Sequence, residues 1–258
     1  LFILIFIINF FIYNKNINHK HLFWDKQKVS RNLKTLGIIN KNKLYPIYHN
    51  NLSIIKGTIN ELFIDFINSN YLEGYVYNKY FLDWNLSNSL ILFLKKQKYL
   101  VGTITSKPIN INIYQINKQF GYVDYLSVKK SLRNKNVAPV LISNLISKYP
   151  NNYSFIFKKE SIPLPFNYIC KFNYYLYNLK FHHKKKLLTD FKLWNINKIV
   201  DIFNRYTSYS KKFKIAIQFN NIEEFKRIYY PKKKIIFSYY FKKNNILNLF
   251  SFYINHLK

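Results

Sequence analysis

Residues 124–139 carry a group of polar and basic side chains that could bind a charged ligand. Four of them are basic: Lys129, Lys130, Arg133 and Lys135. The segment predicts a strand that ends at Val128, a polar turn, and a helix that begins at about Asn136. The first turn of a helix offers unpaired backbone N–H groups and the positive end of the helix dipole, which together can bind a pyrophosphate. A solvated basic turn is the simpler interpretation, because lysine is common along the whole chain.

The spacing within this turn favours the phosphate interpretation. From Arg133 to Ala138 the chain resembles the R-x-x-G-x-A pyrophosphate signature of GNAT-type acyl-CoA transferases, with Asn136 in place of the glycine. Asparagine is one of the few residues that adopts a left-handed backbone at modest cost. Ala138 is small enough for an anion to approach the backbone closely.

The predicted elements give an α+β fold in which short connections make the strands an antiparallel meander. Thr58 and Glu61 have capping-box spacing before a helix, and a second helix is predicted at Asn78–Leu86. Residues 14–56 look mostly irregular. Strands are predicted at Leu90–Lys95, Tyr99–Thr105, Ile109–Ile116, Tyr122–Val128 and Tyr153–Phe157, with breaks at Lys96–Lys98, Lys107–Pro108 and Lys118–Gly121.

The later part of the chain predicts a smaller unit. Asn195 can cap a helix with Ile196, Ile199, Val200 and Phe203 on one face, and another short helix precedes Pro231. Two strands follow, at Ile235–Phe241 and Ile246–Ile254. The family resemblance described below implies an N-terminal segment at 1–20, a GNAT-like acyl-CoA domain at 21–190, and the start of a second GNAT-like domain at 191–258.

Composition excludes several classes of protein. The 258 residues are 49% hydrophobic, which argues against wholesale disorder, and the single cysteine argues against a disulfide framework. The apolar run from Leu1 to Tyr13 is shorter than the ~18 residues that a membrane span needs. The net charge of +30 suggests a nucleic-acid-binding protein, but only four basic residues are arginine and the charge is spread along the chain.

The segment at 123–142 reads VDYLSVKKSLRNKNVAPVLI and resembles the glycylpeptide N-tetradecanoyltransferase (N-myristoyltransferase) family without a gap. Other family motifs follow in order. They include HLFWD at 21–25, SNYLE at 69–73, FLDW at 81–84, LVGTITSKP at 100–108 and FSFY at 250–253. The resemblance implies binding of myristoyl-CoA and transfer of its acyl group to an N-terminal glycine amine.

The resemblance also implies roles for particular residues. The backbone amides of Tyr125 and Leu126 would form an oxyanion hole, which needs a strand bulge or a strand end to free them. Residues implied to bind acyl-CoA are His21, Leu22, Phe23, Trp24, Tyr125, Leu126, Ser127, Val128, Arg133, Asn134, Lys135, Asn136, Val137 and Ala138. Residues implied to face the peptide are Tyr77, Asp124, Lys158, Phe172 and Tyr174.

Several positions depart from the family. The acidic run expected after Glu73 is missing, and Lys158, Phe172 and Tyr174 replace family residues that face the peptide. The family uses the carboxylate at its own C-terminus as the base, whereas this chain stops at Lys258, early in the second domain. We therefore expect a diverged, truncated member, with Asp124 as the nearest candidate base.

An acyl-CoA-binding homologue without turnover is the alternative within the same family. We expect a cytoplasmic, monomeric protein with no membrane span, no specific nucleic acid, no metal and no cofactor beyond myristoyl-CoA as co-substrate.

Overall fold

A computed structural model describes residues 51–71, 75–150, 153–158, 192–193, 198–233, 235–243 and 246–253. These residues all belong to one compact unit. The strands are β1 (Leu52–Lys56), β2 (Leu90–Lys96), β3 (Tyr99–Ile113), β4 (Ile116–Val128), β5 (Ser154–Phe157), β6 (Lys192–Leu193), β7 (Ile215–Gln218), β8 (Ile236–Lys243) and β9 (Ile246–Tyr253). The helices are α1 (Glu61–Asn70), α2 (Lys79–Asn85), α3 (Val137–Ser147), α4 (Ile199–Ser210) and α5 (Ile222–Tyr229).

The larger sheet has six strands. The order β1-β2-β3-β4 is antiparallel throughout, β5 adds to β4 in parallel, and β7 pairs with the far part of β3. A smaller antiparallel sheet has the order β6-β8-β9. The meander and the α+β class predicted from the sequence are confirmed.

Strand β2 is buried on both faces of the larger sheet, and alternate side chains belong to different cores. Phe93 packs in the core formed with α1 and α2, which includes Phe63 and Leu82. Leu94 packs in the core on the other face, with Leu141 of α3. Helices therefore cover both faces of the sheet at the place where β3 and β4 carry the predicted site.

The predicted break at Lys96–Lys98 is confirmed, because β2 ends at Lys96 and β3 begins at Tyr99. The other two predicted breaks are wrong, because β3 runs through Pro108 and β4 runs through Gly121. Pro108 pairs with Gly121 on one side. On its other side neither neighbouring strand reaches Pro108, because the first residue of β2 lies opposite Ser106 and the last residue of β7 lies opposite Asn110. Proline is tolerated at such an edge position because its missing N–H has no neighbouring strand to meet there.

Several local predictions also need correction. Asn60, and not Thr58, caps α1, since its side chain accepts a hydrogen bond from the Phe63 N–H at 3.0 Å. Helix α4 begins at Ile199 after Lys198, later than predicted, and Asn195 lies outside the described residues. Strands β1 and β7 were not predicted. Their residues are only partly buried or exposed, so an alternating pattern is weak there.

Three other predictions are confirmed. Helix α2 was predicted at Asn78–Leu86, and these two residues are its N-cap and C-cap. Helix α3 begins directly after Asn136. The two C-terminal strands form a hairpin, β8-β9. Among the described helices, none is long and apolar enough to span a membrane.

Candidate functional site

Strand β4 carries a bulge at the predicted oxyanion pair. The register passes from the pair Thr103↔Ser127 to the pair Thr105↔Asp124. Tyr125 and Leu126 therefore lie opposite Ile104 alone, and Tyr125 has a positive φ of 48°. Two residues opposite one is the pattern of a β-bulge, which disrupts the ladder locally. A bulge, one of the two arrangements expected to free these amides, is present at the two residues that the family resemblance implies.

The Asp124 carboxylate holds this bulge in place. Its Oδ1 atom accepts a hydrogen bond from the Tyr125 N–H at 2.8 Å and another from the Tyr71 hydroxyl at 2.7 Å. Burial, and secondarily the Asp124 charge, raises the pKa of Tyr71 well above its ordinary value, so its hydroxyl remains a donor. Two threonines on β3 bind the backbone: Thr105 Oγ1 donates to Asp124 O at 2.9 Å, and Thr103 Oγ1 donates to Tyr125 O at 3.3 Å.

This arrangement means that one of the two amides of the expected oxyanion pair already has a hydrogen-bond acceptor. The Tyr125 amide already donates to a carboxylate, so a developing oxyanion must displace that carboxylate before it can use this donor. The structure thus assigns Asp124 a positioning role at the bulge, with Oδ1 engaged by two protein donors.

Aromatic side chains surround the bulge. The Tyr125 ring is 2% exposed and lies 5.2 Å from the Tyr71 ring and 5.6 Å from the Tyr77 ring, centroid to centroid. Its hydroxyl accepts a hydrogen bond from Asn85 Nδ2 at 2.8 Å. The backbone N–H of Tyr77 is itself held by Asn68 Oδ1 at 2.7 Å. Tyr77, predicted to face the peptide, is thus brought against Tyr125.

The basic turn after β4 leads into α3 through two left-handed asparagines. Asn134 has φ of 63° and Asn136, the residue before the first turn of α3, has φ of 59° and ψ of 17°. No side chain caps the helix start. Backbone N–H groups of a turn can form a concave anion-binding surface, and the helix dipole adds to it. The left-handed conformation predicted for Asn136 is confirmed.

The basic side chains of the turn are exposed, yet Arg133 has structural contacts of its own. Its Nη2 donates to Asn70 O at 2.7 Å, at the end of α1, and its Nε lies 3.4 Å from Val128 O. The Lys130 N–H donates to Asn70 Oδ1 at 3.3 Å. Arg133 therefore ties the basic turn to α1 in addition to any role with phosphate.

Close packing joins α3 to the sheet behind the site. A Cβ atom on Gly102 would lie 2.9 Å from Leu141 Cδ1 and 3.4 Å from Ser127 O, so this position is too tight for a side chain without movement. The Ser127 hydroxyl is buried and has no hydrogen-bond partner among the described residues. Val128 and Val137 are buried beside it in the α3 core.

Some of the remaining predicted site residues lie within the described part of the chain. Lys158 is exposed and follows the last pair of β4 and β5, Val123↔Phe157, so it lies beside Asp124 in register. Ala138 packs in the second position of α3. His21, Leu22, Phe23 and Trp24, and also Phe172 and Tyr174, lie outside the described residues.

Sequence reasoning missed the residues that support the bulge from other elements. Tyr71 lies within the SNYLE motif, and Asn85 follows FLDW directly, so proximity to those motifs was the available signal. The two threonines alternate along β3, as residues that face one side of a strand do. Their polar side chains within an apolar strand were the hint that something beside them needs hydrogen bonds.

Comparisons with known proteins agree with this geometry. Residues 49–158 match the family model of the N-terminal domain of myristoyl-CoA:protein N-myristoyltransferase. The chain is 23% identical over 230 residues to the glycylpeptide N-tetradecanoyltransferase of Kluyveromyces lactis, covering 72% of this chain and 50% of that protein. It is 31% identical over 163 residues to glycylpeptide N-tetradecanoyltransferase 2 of Danio rerio, covering 51% of this chain and 33% of that protein.

The structural comparison covers more of the chain. A crystal structure of Saccharomyces cerevisiae N-myristoyltransferase with bound myristoyl-CoA superposes with a TM-score of 0.66 and 18% identity, covering 90% of this chain and 66% of that one. A second such structure gives a TM-score of 0.68. The chain therefore spans about half the length of the first of these curated relatives and two thirds of the yeast structure.

A mixed sheet flanked by helices, with a bulged strand that leads through a basic turn into a helix, is the GNAT-like fold that this chain shares with the yeast enzyme's structure. The comparisons support the N-myristoyltransferase family for this chain. These matches favour that family over the nucleic-acid-binding alternative.

Proposed function

We propose that this protein transfers a myristoyl group from myristoyl-CoA to the N-terminal glycine amine of polypeptides. The observation that carries this proposal is the bulge at Tyr125–Leu126, followed within a dozen residues by a basic turn and a left-handed Asn136 at the start of α3. The first feature suits a thioester carbonyl, and the second suits the phosphates of its CoA.

In the proposed complex, the turn from Lys129 to Asn136 holds the CoA pyrophosphate. Exposed cations and backbone N–H groups at a helix start both favour a polyanion. Lys135 is exposed and free to bend toward a phosphate, whereas Arg133 keeps part of its guanidinium on Asn70 O. His21, Leu22, Phe23 and Trp24 belong to the same proposed acyl-CoA site by family resemblance.

The proposed reaction forms an amide bond. The glycine nitrogen attacks the thioester carbonyl, negative charge builds on the carbonyl oxygen, and the CoA thiolate leaves and takes up a proton. A fixed backbone N–H at that oxygen contributes ~3 kcal/mol of transition-state stabilisation. The Leu126 amide is the donor that Asp124 does not hold, and the Tyr125 amide becomes the second donor once the Asp124 carboxylate moves away.

The peptide amine needs to be neutral to attack. A free α-amino group has a pKa of about 8, so roughly a tenth of it is neutral at pH 7 without any base. Tyr77, Asp124, Lys158, Phe172 and Tyr174 are proposed to face the peptide. With Asp124 engaged at the bulge, its role in the proposal is to position Tyr125 and not to take the proton.

Two measurements test the proposal. Calorimetry with a non-hydrolysable myristoyl-CoA analogue should give saturable binding, and Lys135→Ala should weaken it while Lys148→Ala, at the other end of α3, should not. Transfer of labelled myristate to a glycine peptide, with an acetylated peptide as control, then reports turnover. Absence of analogue binding by folded protein contradicts the proposal.

Binding without transfer is the second candidate function, an acyl-CoA-binding homologue without turnover. One observation favours it: the Tyr125 N–H, a donor that the reaction needs, is held by a charged acceptor at 2.8 Å. Saturable analogue binding with no labelled peptide would select this function. The proposal further places the protein in the cytoplasm as a monomer.

A further inference from the structure

A pocket of about 260 Å³ lies where α2 meets the end of α5 and the segment before β8. Trp84 and Ser87 line it from one side, and Arg227 and Lys232 from the other. The Trp84 indole N–H donates to Arg227 O at 3.1 Å, which fixes the two sides against each other. This pocket uses none of the residues assigned to the acyl-CoA site.

Cations gather around this pocket. The Arg227 Nε atom is buried and has no hydrogen-bond partner among the described residues. Lys107 of β3 adds a third positive charge, and its Nζ donates to Asn85 O at 2.9 Å. Burial, and secondarily the charge of Arg227, lowers the pKa of Lys107 to about 8; Lys232 lowers it further and Glu224 opposes the shift. Burial and Arg227 also lower the pKa of Lys232.

The nearby acids are engaged elsewhere. Asp83 lines the pocket, but its carboxylate pairs with Lys79 at 2.9 Å. Glu224 Oε2 accepts the Asn220 N–H at 2.8 Å. Three cations thus lie together without a carboxylate bonded to any of them in the described part of the chain. Such an arrangement is stabilised by an added anion, because like charges in a partly buried place repel strongly.

The pocket is linked to the bulge. Asn85 donates through Nδ2 to the Tyr125 hydroxyl and accepts from Lys107 through its backbone oxygen. Lys107 is two residues from Thr105 on β3, and residues two apart lie on the same face of a strand, about 7 Å from each other. A group bound at the pocket therefore lies close to where the acceptor peptide is proposed to bind.

We propose that this pocket binds an oxyanion, a phosphate or a carboxylate, through Arg227 and Lys232, with the positive charge of Lys107 close by. Two sources have this chemistry: free inorganic phosphate, and an acidic or phosphorylated side chain of the acceptor polypeptide. The second source rests on the proposed acyl transfer.

Calorimetry with inorganic phosphate at pH 8 tests the site independently of any transfer activity. Ionic strength is held constant with sodium chloride, and the titration is repeated in two buffers of different ionisation enthalpy. A bound anion raises the proton affinity of Lys107, so binding should take up as much as about half a proton at this pH. Arg227→Gln and Lys232→Gln should each weaken phosphate binding at least about tenfold, because each removes a charge-assisted hydrogen bond.

Matched controls remove equal charges elsewhere. Arg205→Gln, in an exposed i,i+4 pair on α4, and Lys56→Gln, at the exposed end of β1, should leave phosphate binding unchanged. Equal losses in the controls would mean that phosphate responds only to net charge, and would overturn the proposal. So would the absence of phosphate binding to the native chain, or an equal loss of myristoyl-CoA analogue binding in Arg227→Gln.

Peptides that differ at one residue distinguish the two possible sources of the bound oxyanion. If an acidic side chain is the ligand, a glycine peptide with glutamate or phosphoserine a few residues from its N-terminus should bind more tightly than its glutamine counterpart, and Arg227→Gln should remove the difference. If the peptides bind equally while phosphate still binds, free phosphate is the ligand. If analogue binding fails but phosphate binding persists, the proposed function is wrong and the anion site stands.

Discussion

Replacing Asp124 should destabilise the protein far more than an exposed aspartate does, because this carboxylate holds a strained bulge. Tyr125 adopts a positive φ, which costs ~1–3 kcal/mol for a non-glycine residue. The hydrogen bond from its N–H to the Asp124 carboxylate contributes ~1.5–3 kcal/mol, which is enough to offset that strain. Asp124→Ala also removes the acceptor of the Tyr71 hydroxyl, and an unsatisfied buried donor costs a further ~1–3 kcal/mol.

We therefore expect Asp124→Ala to lower the free energy of unfolding by ~3–5 kcal/mol. Urea denaturation measures it, with Asp83→Ala as the matched control, since the exposed Asp83–Lys79 pair contributes at most ~1 kcal/mol. Tyr71→Phe combined with Asp124→Ala should cost ~1–3 kcal/mol less than the two single changes added together, because they share one hydrogen bond. If Asp124→Ala costs no more than Asp83→Ala, the carboxylate does not hold the bulge and the positioning role is refuted.

Three further changes test other parts of the structure. Lys107→Met should remove a rise in stability between about pH 8 and 10.5, because the unfolded state binds the lysine proton more tightly than the folded state in that window. Denaturant midpoints in chloride buffers that rise equally with pH in both proteins would contradict this. Asn136→Gly should keep analogue binding, whereas Asn136→Val should lose it and ~1–2 kcal/mol of stability, and calorimetry showing equal behaviour would argue against the left-handed cap. Lys135→Ala should weaken CoA binding without changing stability. Arg133→Ala should weaken CoA binding and also lower the melting temperature, because it loses the hydrogen bond to Asn70 O. If either variant loses affinity for a free fatty acid to the same extent as for CoA, that residue does not contact the phosphates.

Sequence patterns within one segment predicted the left-handed Asn136 at the end of the basic turn, and they located the bulge in β4. Asn136 stands where a glycine would in the signature, and only a residue tolerant of positive φ suits that position. The family resemblance located the oxyanion pair at Tyr125 and Leu126, and the need for amides outside the ladder there required either a bulge or a strand end. Both predictions depended on a single short segment, which is where sequence patterns carry the most information.

Long-range pairing was not predictable in the same way. Pro108 predicts a break by its own chemistry, and only the ends of β2 and β7 on that edge explain why the strand continues. Tyr71 meets Asp124 across 53 positions of the chain, and no spacing rule links them. Nothing in the sequence distinguishes Lys107 from the other lysines of this lysine-rich chain. Its burial beside Arg227 depends on how α5 packs.

Strand β3 sets the position of both candidate sites. Thr103, Thr105 and Lys107 alternate along it, so their side chains lie on one face at intervals of about 7 Å. The two threonines bind the backbone of the bulge, and the lysine reaches Asn85 beside the cationic pocket. A slip of one residue in the pairing of β3 with β4 would turn all three side chains to the opposite face. The tight approach of Gly102 to Leu141 opposes such a slip, because any side chain brought to that place would collide with α3. The same register thus fixes the bulge, the Asp124 contacts and the distance from both to the pocket.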